Sequence, residues 1–238
     1  MGSRTLLVFG ATGNTGRRCV EAALLKNWNV VIFVRQPAKV PEVLGSSAEK
    51  LTIVRGDLND SEAVAAVVKS ARPDALIEAS SALPFTHKKG QPPNSADRRI
   101  ILTSIVDALK NSGRIADCRV IIVGGQLLPE PGGTIISTGV WILAFLLKHV
   151  FARTMWKEAE KAIEFLWETP AALRFVMARM GRMLDEPSKG TLVAEGTRDN
   201  IQRGSVSFTD VGTALVELAG DTSGIWDRQA IFYNYASK

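Results

Sequence analysis

The chain has 238 residues, 46% of them hydrophobic, and its 29 Lys and Arg against 24 Asp and Glu give a net charge of +5. That length supports one good-sized domain with room for an insertion but not for a second core, and the composition is that of a folded protein rather than a disordered one. Its basic groups, Arg17-Arg18, His87-Lys88-Lys89 and Arg98-Arg99, are short and lack interleaved aromatics, which argues against a nucleic-acid surface and for one suited to anionic ligands.

Met1-Gly2-Ser3-Arg4 runs into an apolar stretch with no signal-peptide pattern, so the expected location is cytoplasmic. A strand is expected over Thr5–Phe9, then Gly10-Ala11-Thr12-Gly13-Asn14-Thr15-Gly16, then a helix over Thr15–Leu25 that carries Cys19. Further strands are expected at Val30–Val34, Leu51–Arg55, Ala75–Ala79, Val120–Val123 and Leu173–Ala178, all near-continuous apolar runs suited to parallel strands buried on both faces. Helices fall between them. Asn59-Asp60 caps Ser61–Ser70; Asn94 or Ser95 caps a helix carrying Ile101, Ile105 and Leu109 that ends at Gly113. Thr154–Trp167 sets Trp156, Ala159, Ile163 and Leu166 on one face, and Thr209 caps a helix through Ala219. The fold class is therefore α/β: a Rossmann-like, doubly wound parallel sheet with helices on both faces, read as a single domain over 1–238.

Two stretches interrupt that alternation. Residues 82–94 form a polar, Pro-containing loop, and 126–153 form a substrate-side insertion; both follow carboxyl ends of strands, where ligands bind in open α/β sheets. Ile135–Leu147 is apolar but too short to span a bilayer. Val140–Val150 reads either as a helix packed on the domain or, through Trp141 and Phe145, as a lid, wall or homodimer contact. Cys19 and Cys118 stand in no metal or redox spacing and read as free thiols, and with two histidines no metal site is expected.

The glycines carry the chemistry. Gly10 permits a tight turn, Gly13 lets backbone amides approach a pyrophosphate, and Gly16 lets the helix pack closely on the strand, with Thr12, Asn14 and Thr15 between them. An enzyme preferring NAD places Asp or Glu at the end of the second strand, whereas Val34 is followed here by Arg35, with Lys39 nearby. A guanidinium there can fork onto a 2′-phosphate, so the expected cofactor is NADP(H), with Arg17 adding charge. Asp57 and Leu58 follow the third strand, where the aspartate accepts from an adenine amino group or caps a turn. Ser80 and Ser81 fall beside the expected path of the nicotinamide ribose. Glu78, a carboxylate in a central strand, must be paired, protonated or near a cavity.

The Gly10–Gly16 turn, Val34-Arg35, Gly56-Asp57, Val120–Gly124, Lys157-Glu158-Ala159-Glu160, Ala178-Arg179-Met180-Gly181 and Val206–Val211 occur in an order that resembles the atypical short-chain dehydrogenases of the NmrA-like, NAD(P)-binding group, which includes biliverdin reductase B/flavin reductase-like proteins. The resemblance spans nearly the whole chain. It implies a Rossmann-like fold, NADP(H), and reduction of a quinone, flavin or other conjugated acceptor; some relatives bind the dinucleotide as sensors without turnover. It also exposes a departure. The wider superfamily carries Tyr-x-x-x-Lys, in which lysine lowers the tyrosine pKa for proton transfer. Lys157 matches the lysine, suited to a ribose hydroxyl or simply to a solvated charge run, but Arg153 stands at the tyrosine position and cannot act as an acid. Gly124-Gly125 stands where a Ser or Thr usually follows the fifth strand. Neither Tyr233 nor Tyr235 has a lysine four residues later. The sequence thus names no catalytic residue beyond Lys157. It leaves an NADPH-dependent reductase of a small conjugated acceptor, a non-catalytic NADP(H)-binding regulator and, more distantly, an epimerase.

Overall fold

The structure, a computed structural model, describes residues 3–37, 40, 49–80, 98–125, 131, 145, 149, 153–196 and 204–236. The central apolar runs lack polar alternation because both faces are covered, whereas Leu51–Arg55, expected to be buried on both faces, is an edge strand with half-buried and exposed residues only. In β1 (Thr5–Phe9), Leu6 and Val8 enter one core while Leu7 and Phe9 enter the other. The first core is closed by α1 (Asn14–Leu25) and the last helix, α5 (Phe208–Gly220), through Cys19, Val20, Val211 and Leu215. The second is closed by α2 (Ser61–Ala71), α3 (Arg98–Asn111) and α4 (Arg153–Glu168), through Val64, Val68, Ile101, Ile105, Ala162 and Leu166.

The remaining strands are β2 (Asn29–Val34), β3 (Leu51–Arg55), β4 (Ala75–Glu78), β5 (Arg119–Gly125), β6 (Phe175–Met180), β7 (Arg182–Leu184), β8 (Leu192–Glu195), β9 (Ser205–Ser207) and β10 (Gln229–Tyr235). With β1, seven of them form one eight-stranded sheet in the order β3-β2-β1-β4-β5-β6-β10-β8, parallel except where β8 runs against β10. A small parallel pair, β7-β9, stands apart. Strand order reverses between β1 and β4, so the crevice at their carboxyl ends is the topological switch point.

The expected doubly wound architecture is present, with local corrections. β6 begins two residues later than expected, because the Leu173 N–H first closes a turn on the Pro170 carbonyl (2.9 Å). The cap of α5 is Ser207 rather than Thr209: the Ser207 hydroxyl accepts from the Thr209 N–H. α3 ends as expected before Gly113, whose positive φ of 67° lets the chain leave the helix. Asn94, Ser95 and Trp141 lie outside the described residues. Strands β7 to β10 carry no clear signal in the sequence. β7 and β9 are too short to show a period, while β8 and β10 carry Glu195, Gln229 and Asn234 among their apolar residues.

At the amino ends of the strands an ionic knot joins late segments to the sheet. Arg119, 2% exposed at the start of β5, donates to the Leu218 carbonyl and Asp221 Oδ2, both at 2.9 Å, and its Nη2 lies 2.9 Å from Asp227 Oδ1. Arg174 Nε donates to the other oxygen of Asp227 at 2.8 Å. Burial alone pushes the Asp221 carboxyl up, but hydrogen bonds from the Ser223 N–H, Arg119 and the Ser223 hydroxyl outweigh it and hold the group below its ordinary value.

Candidate functional site

Gly10 ends β1 with φ +77°, and a Cβ on it would lie 2.6 Å from the backbone of Ala79 and Ser80 at the end of β4. The turn and the neighbouring strand both require glycine there. A Cβ on Gly16 would lie 2.2 Å from the Gly10 carbonyl oxygen, so the helix approaches its own entry loop as closely as backbone allows. The Gly13 N–H donates to the Gly10 carbonyl (2.9 Å) and the Gly13 carbonyl accepts from the Arg17 N–H (2.9 Å), which fixes the loop from within.

The start of α1 differs in kind from two other helix starts. Asp60 caps α2 by accepting from the Glu62 and Ala63 N–H groups at 3.0 Å, and Ser207 caps α5. Both of those helices also carry an acidic residue in the first turn, Glu62 and Asp210. At α1 the cap position is Gly13, no side chain caps it, and the first turn holds no acid. Its amides and positive dipole end face the crevice, where an external anion can complete them. Thr12, Gly13 and Asn14 are exposed there; Thr15 is buried, with Oγ1 3.8 Å from the Met183 sulfur.

Arg35 follows β2 directly and is exposed at the same edge. Its neighbour across the sheet end is the β3 turn, where the Gly56 N–H donates to the Val34 carbonyl (3.1 Å). Asp57 is exposed and caps that turn: Oδ1 accepts from the Asn59 N–H (2.9 Å) and the Asn59 amide (3.1 Å). Leu58 packs half-buried against the second core. Gly10, Thr12, Gly13, Asn14, Thr15, Gly16, Arg35, Asp57 and Ser80 thus gather along the carboxyl ends of β1 to β4. Lys157 is exposed on α4 beside buried Trp156. Ser81 and Lys39 lie outside the described residues.

Glu78 resolves as a paired carboxylate. Fully buried at the end of β4, it faces the Arg98 Nη2 at 2.7 Å through Oε2, while Oε1 accepts from the Ser80 N–H (2.8 Å) and the Ser80 hydroxyl. Arg98 also donates to the Val123 carbonyl of β5. The pair is not legible in the sequence, where Arg98 is one charge in a short basic group. Beyond it, Gly124 is level with Arg179 of β6, whose guanidinium lies 4.5 Å from the Phe232 ring.

The two tyrosines serve the other face. Tyr233 is 3% exposed in the first core, and burial pushes its hydroxyl well up. Tyr235 accepts from the Ser207 N–H (3.0 Å) and donates to Asp210 Oδ2 (2.8 Å); burial and the Asp210 bond raise it as well. A cleft of about 370 Å³ lies at the opposite, amino edge, lined by Arg4, Asp74, Arg119, Arg174 and Asp221. Much of the charge there is internally paired, so the uncapped carboxyl edge is the better candidate for a ligand. Among the described residues no helix is long and apolar enough to cross a membrane.

Comparison with known proteins agrees with this geometry. The oxidoreductase claK of Passalora fulva is 26% identical over 245 residues, covering 98% of this chain and 84% of that protein. A short-chain dehydrogenase/reductase of Veillonella parvula in complex with NADP superposes with a TM-score of 0.72 at 16% identity, over 99% of this chain and 96% of that one. ChuY of Escherichia coli O157:H7, described as an anaerobillin reductase, superposes with a TM-score of 0.70 at 22% identity, over 98% of each chain. The family model described as NAD(P)H-binding matches residues 10–222, from the first glycine of the turn to beyond α5. The chain belongs to that NAD(P)H-binding family, and its cofactor is a nicotinamide dinucleotide.

Proposed function

We propose that the protein is an NADPH-dependent reductase that delivers hydride to a conjugated, planar acceptor such as a quinone or flavin. The observation that carries this reading is the uncapped start of α1 at the switch point, with an arginine instead of an acid at the end of β2. The amides of Asn14, Thr15 and Gly16 receive the pyrophosphate, with Thr12 and Gly13 alongside. Arg35 takes the 2′-phosphate, which separates NADP(H) from NAD(H). Asp57 and Leu58 flank the adenine, Ser80 and Ser81 pass the nicotinamide ribose, and Lys157 reaches a ribose hydroxyl.

The bound cofactor supplies the hydride; the chain orients it and keeps water away. An electron-poor ring accepts hydride while solvent supplies the proton, so this chemistry does not require the tyrosine that Arg153 replaces. A second reading is favoured by the same gap. Both tyrosines are engaged on the α1/α5 face, which suits a regulator that binds NADP(H) without turning it over.

Loss of the reduced-nicotinamide absorbance, followed with NADPH and a panel of quinones, flavins and linear tetrapyrroles, separates the two. Turnover above the protein-free control is expected. Tight NADPH binding with no turnover across the panel would favour the regulator. Arg35→Glu is expected to weaken NADPH by about tenfold or more and NADH far less, since a charge-assisted bidentate contact is lost. Equal loss of both would overturn the 2′-phosphate assignment.

A further inference from the structure

The ion pair at the end of β4 lies on the β4/β5 side of the switch point, across β1 from the elements that carry Arg35 and Asp57. It ties three elements together. Glu78, fully buried, accepts from both the N–H and the hydroxyl of Ser80, and Arg98 bridges the same carboxylate to the Val123 carbonyl of β5 and to the start of α3. Ser80 in turn is packed on the phosphate turn, where the Gly10 Cα meets the Ala79–Ser80 backbone too closely for a Cβ. An aliphatic side chain would satisfy a central strand better, because a buried carboxylate must recover its hydration from fixed partners. Here every partner lies at the carboxyl edge on the β4/β5 side of the switch point. That side is the second mononucleotide half of a doubly wound sheet, where the nicotinamide rests.

We propose that Glu78 and Arg98 are positioning residues for the nicotinamide half of the dinucleotide. They hold the Ala79-Ser80 backbone and the end of β5 in one fixed relation, and they act through Ser80 and Val123 rather than by touching the cofactor. This deepens the cofactor reading above and rests on it. The carboxylate fixes the Ser80 hydroxyl as a donor directed into the protein, which leaves its lone pairs facing the crevice as acceptors for a ribose hydroxyl. Loss of the charge on Glu78 frees Ser80 and leaves Arg98 without its counter-ion, while Arg35 at the end of β2 and the internal hydrogen bonds of the Gly10–Gly16 turn are retained.

The test compares two ligands that differ by the nicotinamide half. Glu78→Gln is expected to weaken NADPH about tenfold, as for loss of a charged hydrogen bond, and to change the affinity of 2′,5′-ADP less than twofold. Arg98→Met should reproduce that split, and Arg98→Lys, which keeps a cation within reach of Glu78, should recover most of the NADPH affinity. A merely structural pair would lower both ligands together, and that result, or no change in either, would overturn the proposal. If Glu78→Gln does not fold, as judged by far-ultraviolet circular dichroism, the Arg98 pair of variants carries the same comparison, because Arg98 is partly exposed. Wild-type protein that binds neither ligand would overturn the cofactor reading itself. Wild type binding both with no split in the variants overturns only the positioning role.

Discussion

The two ends of the parallel sheet are built on opposite principles. At the amino ends charged groups are closed upon one another: Arg119 is shared between Asp221 and Asp227, and Arg174 takes the remaining oxygen of Asp227. At the carboxyl ends, backbone donors at the start of α1 are left without a capping side chain, and the glycines keep side chains out of the way. One edge spends its polar groups on the fold and the other reserves them for a ligand. Arginine–carboxylate pairs occur at both, but Arg119 joins late chain segments to the sheet, whereas Arg98 braces the floor of the crevice.

That contrast makes stability and ligand affinity separable. The largest expected effect on stability is Asp227→Ala, which strips a carboxylate from the nearly buried Arg119 and also from Arg174. Breaking a buried pair from one side costs 3–5 kcal/mol, and the partial exposure of Asp227 lowers the expected loss to about 2–3 kcal/mol, read as a shift of the urea midpoint. NADPH affinity should not change. If it does, the two edges are coupled and the comparison fails.

Asn14→Asp tests the reverse case. A carboxylate in the first turn of α1 should complement the helix dipole and stabilise the unliganded protein by about 0.5 kcal/mol. It should also repel the pyrophosphate, weakening NADPH by about tenfold. Calorimetric titration and a denaturant curve on the same sample give both numbers. Affinity that rises with stability would show that α1 does not face the phosphate.

The smallest effect concerns acid. Asp221 is held below its ordinary value of 3.8, so its contribution to stability is complete above that value and disappears as pH falls through the lower folded-state value. Asp221→Asn should therefore be less stable than wild type at neutral pH, with the two curves converging in acid. A difference that persists unchanged into acid would assign the effect to packing rather than to charge.

The first half of the fold was legible because its signals are local. A buried strand, a glycine turn and a helix follow one another between Thr5 and Leu25, and Arg35 stands at a position set by the strand before it. Asp60 and Gly113 likewise act on their own neighbours. The Glu78–Arg98 pair, the Arg119 knot and strand β10 are not of that kind. Each depends on residues brought together from distant parts of the chain, and short polar-interrupted strands such as β8 carry little period of their own. Glu78 did announce itself as an anomaly, since a carboxylate in an otherwise apolar strand calls for a partner, but nothing near it in sequence named Arg98.

The position of β10 has a consequence for how the protein comes to be folded. Although it is the last of the strands in sequence, it lies between β6 and β8. While the chain emerges from the ribosome, β6 therefore presents an open edge and β8 has nothing to pair with until Gln229–Tyr235 appears. Arg119 also waits, since Asp221 and Asp227 follow it by about a hundred residues. The glycine turn, by contrast, is contiguous in sequence with β1 and α1. The local bonds of the phosphate turn can form early, but the core behind α1 waits for α5, as the far side of the sheet waits for β10.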